Sequence, residues 1–207
     1  MKILLFITII ILISVSAAVS QHTIFEIEGG ALFPQDTETG MILGLSAGRM
    51  ADENLGWAFE VQYFWRTFTQ EYTVSETGGA TQQETIVTEI ENSTKMLPVM
   101  GKLVYLSQIA PSLDIRISGG IGYAFLWNTE ANYVENIEES NSFSGFAWQL
   151  GAGVSLPISR AADFFGEMAY FYSKPSRDAG TTQEGLPQRT EIDMSGLLLR
   201  VGVRLYN

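Results

Sequence analysis

From residue 113 to 127 the chain alternates. Leu113, Ile115, Ile117, Gly119, Ile121, Tyr123, Phe125 and Trp127 fall on one parity, and Asp114, Arg116, Ser118, Gly120, Gly122, Ala124 and Leu126 on the other. A period of two belongs to a β-strand, whose successive side chains point to opposite faces. Residues 143–156 repeat the pattern, with Phe146, Trp148, Leu150, Ala152, Val154 and Leu156 set against Ala147, Gln149, Gly151, Gly153 and Ser155. Residues 197–205 do so again, with Leu197, Leu199, Val201, Val203 and Leu205 against Leu198, Arg200, Gly202 and Arg204. Weaker versions lie at 24–33, 41–50, from Trp57 onward, at 94–106 and at 163–172. The pattern predicts eight strands. Pro98 cannot donate to a ladder, so it predicts a bulge or an unpaired side.

The connections alternate too. Those at 51–56, 107–112 and 157–162 are short, whereas those after the third, fifth and seventh strands are long and polar. The segment 70–93 still alternates around Gly78 and Gly79, which predicts that strands three and four continue as a protruding hairpin. An even number of antiparallel strands, with short turns at one end and long loops at the other, is the pattern of an up-and-down transmembrane β-barrel. The expected fold is therefore all-β: an eight-stranded antiparallel barrel.

The facing follows from the chemistry of each parity. The polar faces are rich in glycine and isolated charges, which suits a narrow lumen better than a solvated exterior. Val201 and Ile117 are expected to touch lipid, and Gly120 and Gly151 to line the lumen. Trp57, Trp65, Tyr105, Tyr123, Trp127 and Tyr172 are candidates for two interfacial girdles. Inward positions carry Glu26, Glu28, Glu60 and Glu167 together with Arg66, Lys102, Arg116, Arg200 and Arg204. Near-balance is what a dry interior demands, because an unpaired buried charge costs several kcal/mol. The expected pairs are Glu60 with Lys102, and both Glu28 and Glu167 with Arg200; hydration of some of these groups by lumen water is the other reading.

The N-terminus stands apart. Lys2 precedes an apolar run from Ile3 to Ile13 broken only by Thr8, followed by small residues through Ser20. This predicts a signal peptide over 1–20 and an exported domain over 21–207. A membrane anchor is the competing reading; one lysine and a short core make it the weaker one.

Composition narrows the function. A net charge of −11 argues against nucleic acid as a partner. The chain has no cysteine, which excludes disulfides, thiolate metal sites and a lipoprotein anchor. A secreted lipocalin-like barrel carrying an apolar ligand is the alternative architecture, but that class usually has a disulfide.

At this point the stretches ISGGIGYAF (117–125), FAWQLGAGVSLP (146–157), LLLRVGVRLY (197–206) and MLPVMGKLVYL (96–106) carry a resemblance. The chain resembles the small eight-stranded outer-membrane β-barrel proteins of the OmpA/OmpX type, a porin-family domain, over its whole mature length. The resemblance implies residence in the outer membrane of a Gram-negative-type bacterium. It also implies contact with outer-membrane lipid and lipopolysaccharide, handling by the outer-membrane assembly machinery, and a monomeric state. It departs from the family at its end: Tyr206 is penultimate and out of phase with Leu205, and Asn207 is last.

No catalysis is expected. Barrels of similar fold that act as deacylases, palmitoyltransferases or proteases use a histidine at the outer-leaflet end. The only histidine here is His22, before the first strand, so no Ser-His-Asp set can be assembled. The runs at Gly119–Gly122 and Gly151–Gly153 lie inside alternating strands, not at the start of a helix, and so read as close packing and not as phosphate loops. Asn92-Ser93-Thr94 matches a glycosylation acceptor by chance. No cofactor is expected. Negative charge gathers in the outer loops, at Asp36 and Glu38, at Glu71, Glu76, Glu84, Glu89 and Glu91, and at Glu130, Glu135, Glu138 and Glu139, while the last loop, 173–191, is neutral. Such a rim suits divalent cations or basic ligands, but a solvated face that repels anions and keeps the loops soluble is the favoured reading.

Overall fold

A computed structural model describes residues 23–76, 83–132, 137–181 and 187–207. The expected signal peptide, His22 and the turn at Gly78-Gly79 lie outside these residues. Side chains are described for residues 23–68, 92–129, 139–177 and 190–207, and most of the acidic loop residues fall outside that set.

Ten strands run antiparallel: β1 (Thr23–Pro34), β2 (Gly40–Met50), β3 (Leu55–Glu76), β4 (Gln83–Ala110), β5 (Leu113–Asn132), β6 (Ile137–Ser159), β7 (Ala162–Ser173), β8 (Ser176–Thr181), β9 (Pro187–Glu191) and β10 (Gly196–Tyr206). Eight of them, β1 to β7 and β10, close into a barrel through the β1–β10 and β5–β6 pairings. Strands β8 and β9 form a small hairpin that touches β6 at Ser144 and Ser176. The sequence reading missed this hairpin, because the polar stretch between Ser173 and Ile192 carries no alternation.

Closure comes with a fixed stagger. The register runs from Phe33 through Leu197, Tyr170, Leu150, Gly119, Leu103, Trp57 and Arg49 to Thr23, so one circuit returns to β1 ten residues away. Such a stagger over eight strands tilts them by about 35–45° to the axis and leaves an interior that side chains can fill.

The wall is uneven. β2 ends where Met41 meets Trp65, and β7 ends where Ser173 meets Ala147. β3 and β4 stay paired to Glu76 and Gln83, β4 and β5 to Ile90 and Asn132, and β5 and β6 to Asn132 and Ile137. A sheet of four strands therefore rises from one side of the barrel. Residues 128–132 and 137–142, expected as loop, belong to this sheet. Pro98 makes no bulge: β4 pairs with β3 at Val99 and again at Met96 without a change of register, and Pro98 itself lies opposite Ala124. The opposite end is held by tight turns. In the first, Asp52 Oδ1 accepts the backbone N–H of Asn54 at 2.8 Å and of Leu55 at 2.7 Å. These two bonds hold the Asp52 carboxyl below its ordinary range.

The outward faces are apolar: Val201 is 54% exposed, Ile117 47% and Ile121 65%. Gly120 and Gly151 are buried on the inward face. Outward aromatics cluster, with Trp148 stacked on Tyr172 at 5.6 Å and Tyr63 on Trp65 at 5.8 Å between ring centroids. An apolar exterior around an interior that buries charged side chains inverts a soluble barrel, and the lipocalin-like alternative falls with it.

Candidate functional site

Inside the barrel, parity alone would make every inward position equivalent; the stagger sorts them by height. Nearer the short turns lies a layer of charge. Glu26 and Glu28 on β1, Glu60 on β3, Lys102 on β4, Arg116 on β5, Glu167 on β7, and Arg200 and Arg204 on β10 are all buried. Lys102 Nζ donates to Glu60 Oε1 at 2.5 Å, to Glu26 Oε2 at 3.1 Å and to Glu28 Oε2 at 3.4 Å. Arg116 holds Glu26 with both Nη atoms, at 2.8 and 3.1 Å, and Glu167 with Nε at 2.7 Å. Arg200 lies between Glu28, at 2.8 Å, and Glu167, at 2.5 Å. Arg204 Nε donates to Glu26 Oε1 at 2.7 Å. Four carboxylates meet four cations, so the layer is neutral as a unit, which is the condition under which buried charge is tolerable.

Neutral polar groups complete the shell. Ser46 donates to Glu26 at 3.1 Å, Ser118 to Glu167 at 2.7 Å, Gln149 to Glu60 at 2.5 Å and Gln62 to Glu28 at 3.3 Å. Two inward glycines make room for carboxylates: a Cβ on Gly44 would lie 2.6 Å from Glu28 Oε1, and one on Gly151 2.5 Å from Glu167 Oε1. The Arg116 guanidinium also lies 4.1 Å from the centre of the Phe165 ring.

Nearer the long hairpins the lumen changes character. Leu32, Ile42, Phe64, Met96, Met100, Leu126, Phe143, Phe171 and Leu198 form one buried apolar cluster with the small residues Ala124, Ala147 and Ala169. Met194, wholly buried, belongs to it. The segment between β9 and β10 brings Met194 there. Met194 N–H donates to the Ser173 carbonyl at 2.9 Å, and Asp193 N–H to Asp36 Oδ2 at 3.0 Å. Lys174 Nζ lies 2.8 Å from Asp193 Oδ2.

Two placements add to the sequence reading. Arg66, expected among the inward charges, sits at the outer end of β3 and pairs with Glu38 at 2.9 Å. Parity gave its face correctly but not its height. Asp163, overlooked at the start of β7, is buried and accepts the Tyr206 hydroxyl hydrogen bond. It shares the parity of Glu167, a signal that was present in the sequence. Tyr206 is thereby turned toward the barrel mouth, which gives the departure at the chain end a structural role. Among the described residues, no group of three or more His, Asp or Glu side chains is placed to hold a metal ion.

A model of the family described as outer membrane protein beta-barrel domain matches residues 5–204. No curated protein matches the sequence. Among solved structures, the chain is similar to Ail, the attachment invasion locus protein of Yersinia pestis, at 14% identity and a TM-score of 0.52, covering 91% of this chain and 99% of that one. It is similar to Neisserial surface protein A at 11% identity and a TM-score of 0.54, covering 89% and 96%. It is also similar to a major outer membrane protein from Thermus thermophilus, at 16% identity and a TM-score of 0.50, covering 89% and 99%. At such identities the likeness is one of fold.

Proposed function

The chain belongs to the outer membrane protein β-barrel domain family, and on that premise we propose that it is a non-enzymatic barrel of the outer membrane that works through the surface it presents to the outside. The observation that carries this reading is the filled lumen. A neutral layer of eight charged side chains and an apolar cluster lie in series along the axis, and on this reading they leave a solute no path. Among the described residues, the four-stranded sheet formed by the outer parts of β3 to β6 is then the largest feature on the external side. Among the described residues, no strand pairs with β3 on its β2 side beyond Trp65, so on this reading that edge is open to a partner strand.

The same reading takes residues 1–20 as a signal peptide removed on export. Insertion by the outer-membrane assembly machinery and a monomeric barrel surrounded by lipid and lipopolysaccharide belong to it as well. The acidic loops are proposed as a site for divalent cations.

Two measurements test the proposal. In planar bilayers the folded monomer is expected to show no steady conductance of porin size; such a conductance overturns the sealed lumen. Replacing residues 70–90 by a short turn should abolish surface attachment of expressing cells while leaving heat-modifiable migration in gels intact. Unchanged attachment would move the function away from the sheet.

A further inference from the structure

Within the outward face, Lys95 is out of place. Its neighbours Thr94 and Met96 point inward and are buried, whereas Lys95 is exposed on the lipid-facing side of β4. Its partner across β3 is Trp65, and its partner across β5 is Trp127. Residues directly opposite on antiparallel strands have Cβ atoms roughly 4.5–5.5 Å apart, so Lys95 is set between two tryptophan positions. One step further out, Thr67, Ser93 and Thr129 face one another across the same three strands, and Ser140 continues the row on β6. One step further in, the row is apolar: Leu97 opposite Phe125, with Tyr63 stacked on Trp65. A cation thus sits at the boundary between an apolar band and a ladder of hydroxyls.

Its height is that of a lipid headgroup. From the outward Tyr105 near the short turns to Lys95 is a span of about ten residues, or about 33 Å along the strand. At a tilt of about 40° this rises about 25 Å, the height of the apolar band of an outer-membrane barrel. Among the described outward strand positions the other cation is Arg49, opposite Trp57 at the far interface. None of the ion pairs among the described residues engages Lys95.

We propose that Lys95, flanked by Trp65 and Trp127 and overlain by Thr67, Ser93 and Thr129, binds the phosphate of an outer-leaflet lipid. The compact ammonium supplies a point charge suited to a phosphate, and the hydroxyls offer further hydrogen bonds. The indoles hold the amphipathic boundary and seat the start of the acyl chains. This site is separate from the protruding sheet and does not depend on what that sheet binds.

Native mass spectrometry of the folded barrel released from detergent tests it. The probes are phosphorylated lipid A, the same lipid A after phosphate removal, phosphatidylglycerol and inorganic phosphate. Wild type should retain phosphorylated lipid A more tightly than the dephosphorylated form. Lys95→Gln should weaken the first roughly five- to tenfold and leave the second unchanged, and Lys95→Arg should restore most of the loss. A parallel loss for phosphatidylglycerol supports a reader of lipid phosphate in general. Arg49→Gln should leave lipid A retention unchanged, and heat-modifiable migration checks that each variant is folded. Equal retention by Lys95→Gln overturns the proposal, as does an equal loss for phosphorylated and dephosphorylated lipid. Inorganic phosphate held as well as the lipid would make this a free-anion site and overturn it too.

Discussion

Between Glu26 and Leu32, three inward steps along β1, the lumen passes from charge to hydrocarbon. Both regions are buried and both are built from the same alternating strands, yet they are held together by different physics. The charged layer is held by directional contacts that must all be present together: Glu26 alone meets Lys102, Arg116 and Arg204. The apolar cluster is held by non-directional burial that tolerates exchange of shape. The lower region therefore fixes which strand meets which, while the upper region packs by burial alone. β10 passes through both, with Leu198 in the cluster, Arg200 in the charged layer and Val201 turned to lipid.

The comparison breaks most readily at Lys102. Lys102→Met leaves three carboxylates buried with one cation fewer, and removing one partner of a buried ionic cluster costs about 3–5 kcal/mol. Urea titration of the barrel in lipid vesicles should show a loss of that size. The double variant Lys102→Met with Glu60→Gln should lose less, because it restores neutrality; a double variant worse than the single one would show that the layer does not act as a unit.

The next effect separates inside from outside on one strand. Val201→Arg places a charge at the lipid-facing midplane, at a cost of roughly 2–4 kcal/mol. Arg200, its neighbour in sequence, carries the same guanidinium at full burial without that cost, because Glu28 and Glu167 flank it. If Val201→Arg folds in bilayers as well as wild type, the outward face does not meet lipid.

How much of this was visible in the sequence follows from what alternation can encode. Parity assigns a residue to a face, so Glu28, Glu60, Lys102, Arg116, Glu167, Arg200 and Arg204 could all be named as inward residues. Parity carries no height, and so Arg66 was grouped with them although it lies near the rim. The apolar upper lumen was hidden for the same reason: Leu126, Phe171 and Leu198 look like lapses in alternation until the ten-residue stagger stacks them on one level. The β8–β9 hairpin was illegible because its strands are short, polar and partnered mainly with each other. The neutral partners Ser46, Ser118, Gln62 and Gln149 carry no sequence signal that separates them from any other small or polar inward residue.

A smaller effect tests whether the upper half is indeed tolerant. Leu198→Met changes shape but not volume or polarity, and should cost less than about 1.5 kcal/mol in the same titration. A loss as large as that of Lys102→Met would mean that both halves are held by specific fit, and the contrast between them would disappear.

The smallest effect concerns the fastening that seats Met194. Asp193 is partly buried, which by itself raises its pKa. Hydrogen bonds from Lys174 and Ser195, with the charge of Lys174, outweigh that and hold the carboxyl below its ordinary value of 3.8. Lys174 is pushed above its ordinary 10.5, first by its hydrogen bond to Asp193 and then by that carboxylate's charge. A carboxylate whose folded pKa is depressed contributes stability that is present above its unfolded pKa and is lost as pH falls through the folded value. A lysine whose pKa is raised contributes below its unfolded pKa and loses that contribution as pH rises through the folded value. The fastening should hold between these limits and loosen only below the usual carboxylate range or above the usual lysine range. The charged layer does not touch this segment and should not follow it. Carbon-detected NMR of the folded barrel should place the Asp193 carboxyl transition below 3.8, and Lys174→Gln should move it upward. An Asp193 transition at or above the ordinary value in wild type would mean that the pair does not fasten Met194, and that the Asp36 and Ser173 contacts hold it instead.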